Sequence, residues 1–241
     1  MGDVDVRAGE LETVIIIGAS SSIGRAISSR FSRANRVITT YSSRVPESPG
    51  EQEDAFHLDL REGLSIERFV EQLKKVFLRI DVVIFLSGIL PGKNLNKYAF
   101  EKVDEVMAVN FSGQAKVLMR MLPLLTERSR VLMFSSISVQ CGSFDPIYAA
   151  SKRALLSFVK AVCTQLPAGA RINAVAPGLI QNSAMFVEMA ADRQEFHRKQ
   201  VPSQQLLGQQ ALADIVFDIC QPHWAHLNGA GIDLNGGQYV R

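Results

Sequence analysis

The chain has 241 residues, 47% of them hydrophobic, and a net charge of +2 from interspersed acids and bases. That is enough apolar material for one large α/β core, and no charge block suggests a nucleic-acid surface. No apolar run approaches the ~18 residues of a membrane span, and the acidic start, residues 1–5, is unlike a signal peptide. The three cysteines, Cys141, Cys163 and Cys220, are far apart, so reduced, buried or half-buried thiols in a cytoplasmic protein are expected.

Residues 11–17 form a continuous β-branched, apolar run, the pattern of a strand buried on both faces of a parallel sheet. Gly18-Ala19-Ser20-Ser21-Ser22-Ile23-Gly24 follows, then a helical pattern through Ala26, Ile27 and Phe31. Strand, small-residue turn and helix in that order make a phosphate seat, because free N–H groups and the helix dipole attract a pyrophosphate. A tight turn with no ligand is the plainer alternative. A second strand, 36–41, runs into Tyr41-Ser42-Ser43-Arg44. At this place a carboxylate bonds the ribose of NAD, whereas an arginine accommodates the extra phosphate of NADP. No acid comes before Glu47, so Ser42, Ser43 and Arg44 favour NADP(H) over NAD(H). The alternative for Arg44 is a solvated charge in the surface loop marked by Pro46, Glu47, Ser48, Pro49 and Gly50.

Residues 55–58 read as a third strand ending at Asp59-Leu60. Asp59 either holds an adenine amino group or caps the next helix, 64–78. A fourth strand, 82–86, leads to Ser87-Gly88, and a long helix over 98–125 carries Asn110. A fifth strand, 130–134, delivers Ser135 and Ser136 to the C-terminal edge, where open α/β sheets bind ligands. Tyr148 opens a helix with Lys152 one turn on and on the same face. A cation held there favours the phenolate and draws the phenol below its free pKa of about 10, which makes Tyr148 a candidate proton donor and acceptor. Such pairs also occur on ordinary amphipathic helices. A sixth strand, 171–176, ends at Pro177-Gly178, and 229–234 is a seventh. The alternation predicts one domain over 1–241, a doubly wound Rossmann-type parallel sheet of seven strands with helices on both faces.

Taken together, Gly18-x-x-x-Ser22-x-Gly24, Asp59, Ser87-Gly88, Asn110, Ser136, Tyr148-x-x-x-Lys152, Pro177-Gly178 and Asp233-Leu234-Asn235-Gly236-Gly237 resemble the motifs of a compact short-chain dehydrogenase/reductase. The resemblance covers residues 13–237. It implies that Tyr148 is the acid/base, that Lys152 tunes it and binds the nicotinamide ribose, and that Ser136 polarises the substrate oxygen, with Ser138 a possible stand-in and Ser135 packing. It implies that Asn110 helps hold a water chain to the lysine, although a kink or a satisfied core amide would also explain it. Gly18, Ser20, Ser21, Ser22, Ile23, Gly24, Tyr41, Ser42, Ser43, Arg44, Asp59, Leu60, Ser87, Gly88, Tyr148, Lys152, Pro177, Gly178 and Ile180 are then the cofactor-binding residues. The substrate would be a small carbonyl compound or alcohol, and the helices led by Tyr98 and Tyr148 would build a homodimer or homotetramer.

The chain departs from the family at four places. Ser22 replaces the middle glycine, Ile17 replaces a threonine, Phe85-Leu86 replaces the usual asparagines, and Asn182 replaces a threonine. Ser22 raises the question of a positive φ, or of a hydroxyl that bonds phosphate. Residues 183–205, with Met185, Phe186, Met189 and Phe196, read as a mobile lid whose apolar side chains face either substrate or the lid's own packing. Gln140, Cys141, Phe144 and Leu90 are further candidates for the substrate pocket. His223 and His226 stand near a turn with no further ligand, so no metal is expected. A hydride-returning isomerase or epimerase and a non-catalytic dinucleotide sensor are the alternative functions.

Overall fold

A computed structural model of the chain describes residues 11–43 and 53–240, so Arg44 and the loop from Pro46 to Gly50 lie outside the described residues. The strands are β1 (Glu12–Ile17), β2 (Asn35–Tyr41), β3 (Glu53–His57), β4 (Ile80–Phe85), β5 (Leu125–Phe134), β6 (Arg171–Pro177), β7 (Ile180–Gln181), β8 (Leu207–Gly208) and β9 (Gly231–Leu234). All but β7 and β8 join one parallel sheet of seven strands in the order β3-β2-β1-β4-β5-β6-β9. The order reverses between β1 and β4, which opens a crevice at their C-terminal ends.

Alternating side chains send the same strands to two cores. Ile15, Ile17, Val83, Phe85, Val131 and Met133 pack on one face against α2 (Gly63–Val76), and also against the helices that later carry Val117, Leu118, Leu155 and Val159. Val14, Ile16, Val82, Ile84, Leu132 and Phe134 pack on the other against Ile27, Phe31, Leu212 and Val216. This two-sided burial is why the strands read as unbroken apolar runs; each fully buried Phe or Ile contributes roughly 1.5–3 kcal/mol.

The helix expected over 98–125 is shorter and is interrupted. It comprises α3 (Phe100–Met107), a π-helical turn Ala108–Ser112, α4 (Gly113–Met121) and a 3-10 turn Leu122–Leu124. Tyr98 stays outside in extended backbone while its hydroxyl donates to Asp145 at 2.6 Å. Leu125 already belongs to β5, five residues before the expected start at Arg130. Ser129 Oγ makes that early pairing possible: it accepts from Thr126 N and donates to Ile80 O, where the register with β4 shifts. Beyond these lie α5 (Ser138–Cys141), α6 (Pro146–Val162), α7 (Ala184–Val187), α8 (Ala191–Gln200) and α9 (Gln209–Ile219). Helix α9 docks on α1 (Ser22–Phe31): Phe31 and Phe217 meet edge to face at 5.1 Å, and Arg30 lies over the Phe217 ring while pairing with Asp214. The parallel ribbon of β7 and β8 has no counterpart in the sequence expectation.

Among the described residues no helix is long and apolar enough to cross a membrane. Cys141 is exposed, Cys163 half-buried and Cys220 buried, so the expectation of sheltered thiols fails at Cys141, which sits on the four-residue α5 beside a glycine turn.

One close approach fixes α4 against the end of β3. A Cβ on Gly113 would fall 2.3 Å from Leu60 O and 2.8 Å from Leu60 Cβ, backbone and side chain that cannot both yield. Gly113→Ala is therefore expected to destabilise the protein by roughly 1–3 kcal/mol in urea unfolding. A loss within about 0.5 kcal/mol, the range of neutral surface changes, would mean that Leu60 is not pinned there.

Candidate active site

The turn after β1 is built on two glycines that the protein itself requires. Gly18 has φ +89, and a Cβ there would meet Ser87 Oγ at 2.4 Å; a Cβ on Gly24 would meet Ala19 O at 2.5 Å. Gly18 N donates to Thr40 Oγ1 at 3.0 Å, which ties the turn to β2. Ser21 caps α1, its hydroxyl accepting from Gly24 N at 3.0 Å. Ser20 is exposed, and its carbonyl accepts from Arg25. Ser22 and Ile23 open the helix, where their amides have no intrahelical acceptor. Ser22 is not among the positive-φ residues, so the missing glycine strains nothing.

At the end of β2, Tyr41 stacks edge-on against His57 at 5.8 Å, and Ser42 and Ser43 are exposed. A His57 ring nitrogen lies 3.1 Å from Ser42 O. Asp59 does not cap α2, whose cap residue is Glu62. Its carboxylate is instead forked by Arg61, with Nε at 2.9 Å from Oδ1 and Nη2 at 2.6 Å from Oδ2. The Arg61 guanidinium holds the Asp59 carboxyl below the usual carboxylate range.

After β4, where the chain has Phe85-Leu86 in place of asparagines, Gln114 ties down the backbone. Its fully buried amide donates to Ser87 O at 2.9 Å and to Val109 O at 3.1 Å, while Leu86 N and Ser87 N both reach Ile17 O. Asn110 sits on the π-helical turn, also fully buried. Its Oδ1 accepts from Ile89 N at 2.8 Å, and its Nδ2 donates to Ile89 O and Ser151 Oγ. Of the alternatives for Asn110, the satisfied core amide is observed, on a π-helical turn. Gly88 is exposed, and a Cβ there would lie 2.9 Å from Lys152 Nζ.

Ser135 is structural: its hydroxyl donates to Lys152 O at 2.9 Å. Ser136 Oγ accepts from Ser138 N at 3.2 Å, and its hydroxyl is near enough to the buried Tyr148 phenol to draw its pKa down. The Ser138 hydroxyl is buried without a partner. Lys152 is buried, and its ammonium donates to Phe134 O at 2.8 Å.

Sequence spacing places this cation as the group that acidifies Tyr148, and the structure corrects that. Burial raises the phenol above its usual value. The neighbouring Ser136 hydroxyl opposes the rise, and the Asp145 carboxylate adds to it. The lysine itself is lowered to about 8 by burial, with no carboxylate paired to it among the described residues. Two buried groups that share a helix face both lose solvation, and desolvation outweighs an attraction that Lys152 directs at a carbonyl.

Asp145 is the residue that sequence reasoning passed over. It is fully buried, caps α6 by accepting from Tyr148 N at 2.9 Å, and also accepts from Tyr98 Oη, Gly92 N and Lys93 N. Burial and that hydrogen bond push the Tyr98 phenol well above its usual range. Asp-Pro just ahead of an apolar helical run was the available signal.

On the far side, Gly178 N bonds Leu234 O, and Ile180 is buried in the second core. Asn182 takes φ +60. In the 183–205 segment, Phe186 packs with Leu179, Val201 and Leu206, and Met189 lies against them, whereas Met185 and Phe196 are exposed. The two readings of its apolar side chains thus divide between residues. Phe144 is exposed and lies beside Gly92, as is Cys141; Leu90 and Gln140 are half-buried.

Two outcomes follow. Asp145→Ala leaves four donors without their acceptor and is expected to lose about 3 kcal/mol or more in urea unfolding, against about 1 kcal/mol for Tyr98→Phe; equal losses would remove Asp145 from this role. The folded pKa of Lys152 lies below its unfolded value, so its burial opposes folding below pH 8 and ceases to do so by about pH 10.5. Lys152→Met should therefore raise the stability of the ligand-free protein at pH 7 by up to about 3 kcal/mol, with the gain shrinking toward pH 10. A gain that does not change with pH would show that the ammonium is not desolvated.

Residues 18–238 match a family model described as enoyl-(acyl carrier protein) reductase. The 3-oxoacyl-(acyl-carrier-protein) reductase of Escherichia coli (strain K12) is 26% identical over 242 residues, covering 96% of this chain and 98% of that protein. The (3R)-3-hydroxyacyl-CoA dehydrogenase of Rattus norvegicus is 26% identical over 248 residues, with 94% and 95% covered. A short-chain dehydrogenase/reductase (glucose/ribitol dehydrogenase) from Brucella melitensis superposes with a TM-score of 0.88 at 25% identity, covering 96% of this chain and 98% of its own. The ligand-free aldohexose dehydrogenase of Thermoplasma acidophilum, 21% identical with a TM-score of 0.86, shares the fold over 96% of this chain and 95% of its own. A match over nearly the whole length, to full-length relatives and to neighbours of the same architecture, makes this chain a member of the short-chain dehydrogenase/reductase family, a NAD(P)-dependent oxidoreductase.

Proposed function

We propose that the protein reduces the carbonyl group of a small organic substrate with NADPH, and oxidises the corresponding alcohol in reverse, with Tyr148 as acid and base. The observation that carries this reading is the buried Tyr148 phenol near the Ser136 hydroxyl, on the helix that holds Lys152 beneath the open backbone of Gly88. A strip of backbone that a Cβ would fill, at the crevice edge near a helix N-terminus, fits a nicotinamide dinucleotide.

When bound, the cofactor supplies or accepts the hydride. The chain's own part is to place the carbonyl and move one proton. The Ser136 hydroxyl already accepts from Ser138 N, and together with Tyr148 it offers donors to the oxygen on which negative charge develops. Tyr148 is protonated at neutral pH, the form that gives its proton to that oxygen as the carbon gains hydride. Lys152, lowered to about 8, exchanges protons near neutrality and serves to restore the phenol. Residues Pro177, Gly178 and Ile180 are read as the nicotinamide side of the crevice.

Ser42 and Ser43, exposed and without a carboxylate nearby on β2, support NADPH over NADH. The names of the bacterial reductase and the rat dehydrogenase support a 3-oxoacyl or 3-hydroxyacyl thioester as the first substrates to try. Residues 183–205 would close over the substrate, and exposed Phe100 and Met119 support assembly through α3 and α4 as a homodimer or homotetramer.

Tyr148→Phe should lower turnover by about 10²–10⁴-fold while leaving the dinucleotide Kd unchanged in a fluorescence titration; unchanged turnover would reject the role. Alcohol oxidation, which needs the phenol to lose its proton, should rise with pH through the alkaline range while ketone reduction does not. NADPH should bind more tightly than NADH, and the reverse order would reject the assignment of Ser42 and Ser43.

A further inference from the structure

Gln209 opens α9 immediately after β8, and three parts of the chain meet at its side-chain amide. Nε2 donates to Ser22 Oγ at 3.1 Å and to the Asn182 carbonyl at 2.6 Å. Ser22 is the first residue of α1, and Asn182 lies at the foot of the 183–205 segment with φ +60, between β7 and α7. The β7–β8 ribbon fixes the reach, since Ile180 pairs with Leu207 and Gln181 with Gly208, the residue before Gln209.

The donors and acceptors decide what this junction does. A primary amide nitrogen has two hydrogens, and both are committed, one to each partner. A serine hydroxyl has two acceptor sites and one proton. Because Ser22 accepts from Gln209, its own proton is free to point elsewhere. At the N-terminus of α1 the acceptor it suits best is an anionic oxygen. A proton donated to such an oxygen polarises the hydroxyl and strengthens the bond it accepts.

We infer that Gln209 is a positioning residue that couples the pyrophosphate seat to the foot of the lid through Ser22 and Asn182. The inference rests on the dinucleotide reading proposed above. Ser22 and Gln209 form a functional pair: the serine that replaces a glycine works because the glutamine orients it. Occupation of the seat tightens the amide on both partners, and Asn182 with the following helix is held in place.

The test uses the full-length protein and NADPH. Gln209→Met keeps the side chain's length and removes both donors; Gln209→Glu turns the Ser22 proton toward the new carboxylate. We expect Gln209→Met to weaken NADPH binding about fivefold to tenfold, and Gln209→Glu to weaken it further. In a Ser22→Gly background, Gln209→Met should change the Kd by less than about twofold. Hydrogen–deuterium exchange should show that NADPH slows exchange across 183–206 in the wild type and does so far less in Gln209→Met. Wild-type NADPH binding with unmoved variants, an equal loss in the Ser22→Gly background, or unchanged lid protection would overturn the coupling alone. No NADPH binding by the wild type would overturn the dinucleotide reading and this inference with it.

Discussion

The arrangement turns on the Asp145 carboxylate, fully buried and with no salt-bridge partner among the described residues. Asp145 accepts hydrogen bonds from Tyr148 N, Tyr98 Oη, Gly92 N and Lys93 N, and these replace the water lost on burial. In capping α6 it decides where that helix begins, and so where Tyr148 and Lys152 fall relative to the ends of β4 and β5. The same negative charge helps keep the Tyr148 phenol protonated. Asp145 therefore fixes the position of the proposed acid and adds to the pKa rise that burial chiefly causes.

Burial sets the rest of the site's electrostatics. Tyr148 and Lys152 are shifted toward their neutral forms from opposite sides, the phenol upward and the amine downward to about 8. In water their i, i+4 spacing would favour charge separation. Under the sheet edge, desolvation dominates because Lys152 finds a carbonyl, Phe134 O, and no counter-ion among the described residues.

The backbone around the crevice is held by side chains that stand in for absent ones. Gln114 supplies the bond to Ser87 O that a strand-end asparagine would otherwise provide, and Asn110 stitches Ile89 to a π-helical turn. Arg61 occupies the Asp59 carboxylate, the group that would otherwise meet a purine amino group or cap a helix. For Ser87 and Ile89 the residue meeting the need came from more than 20 residues away, whereas Asp59 is met by Arg61 two residues on.

The sequence by itself determined the strand run, the glycine turn, the seven-stranded parallel sheet and the Tyr148–Lys152 pair, because each depends on short-range pattern: apolar runs, small residues at a turn, helical spacing. It did not determine the break at Asn110, the early start of β5, the β7–β8 ribbon or the roles of Asp145, Gln114 and Gln209. Most of these depend on partners distant in sequence, from Ile89 for Asn110, 21 residues away, to Ser22 for Gln209, 187 residues away. Nor did it determine the sign of the Tyr148 shift. Spacing reports which charges are near, but only the packed structure decides how much water each has lost, and here water loss outweighs proximity.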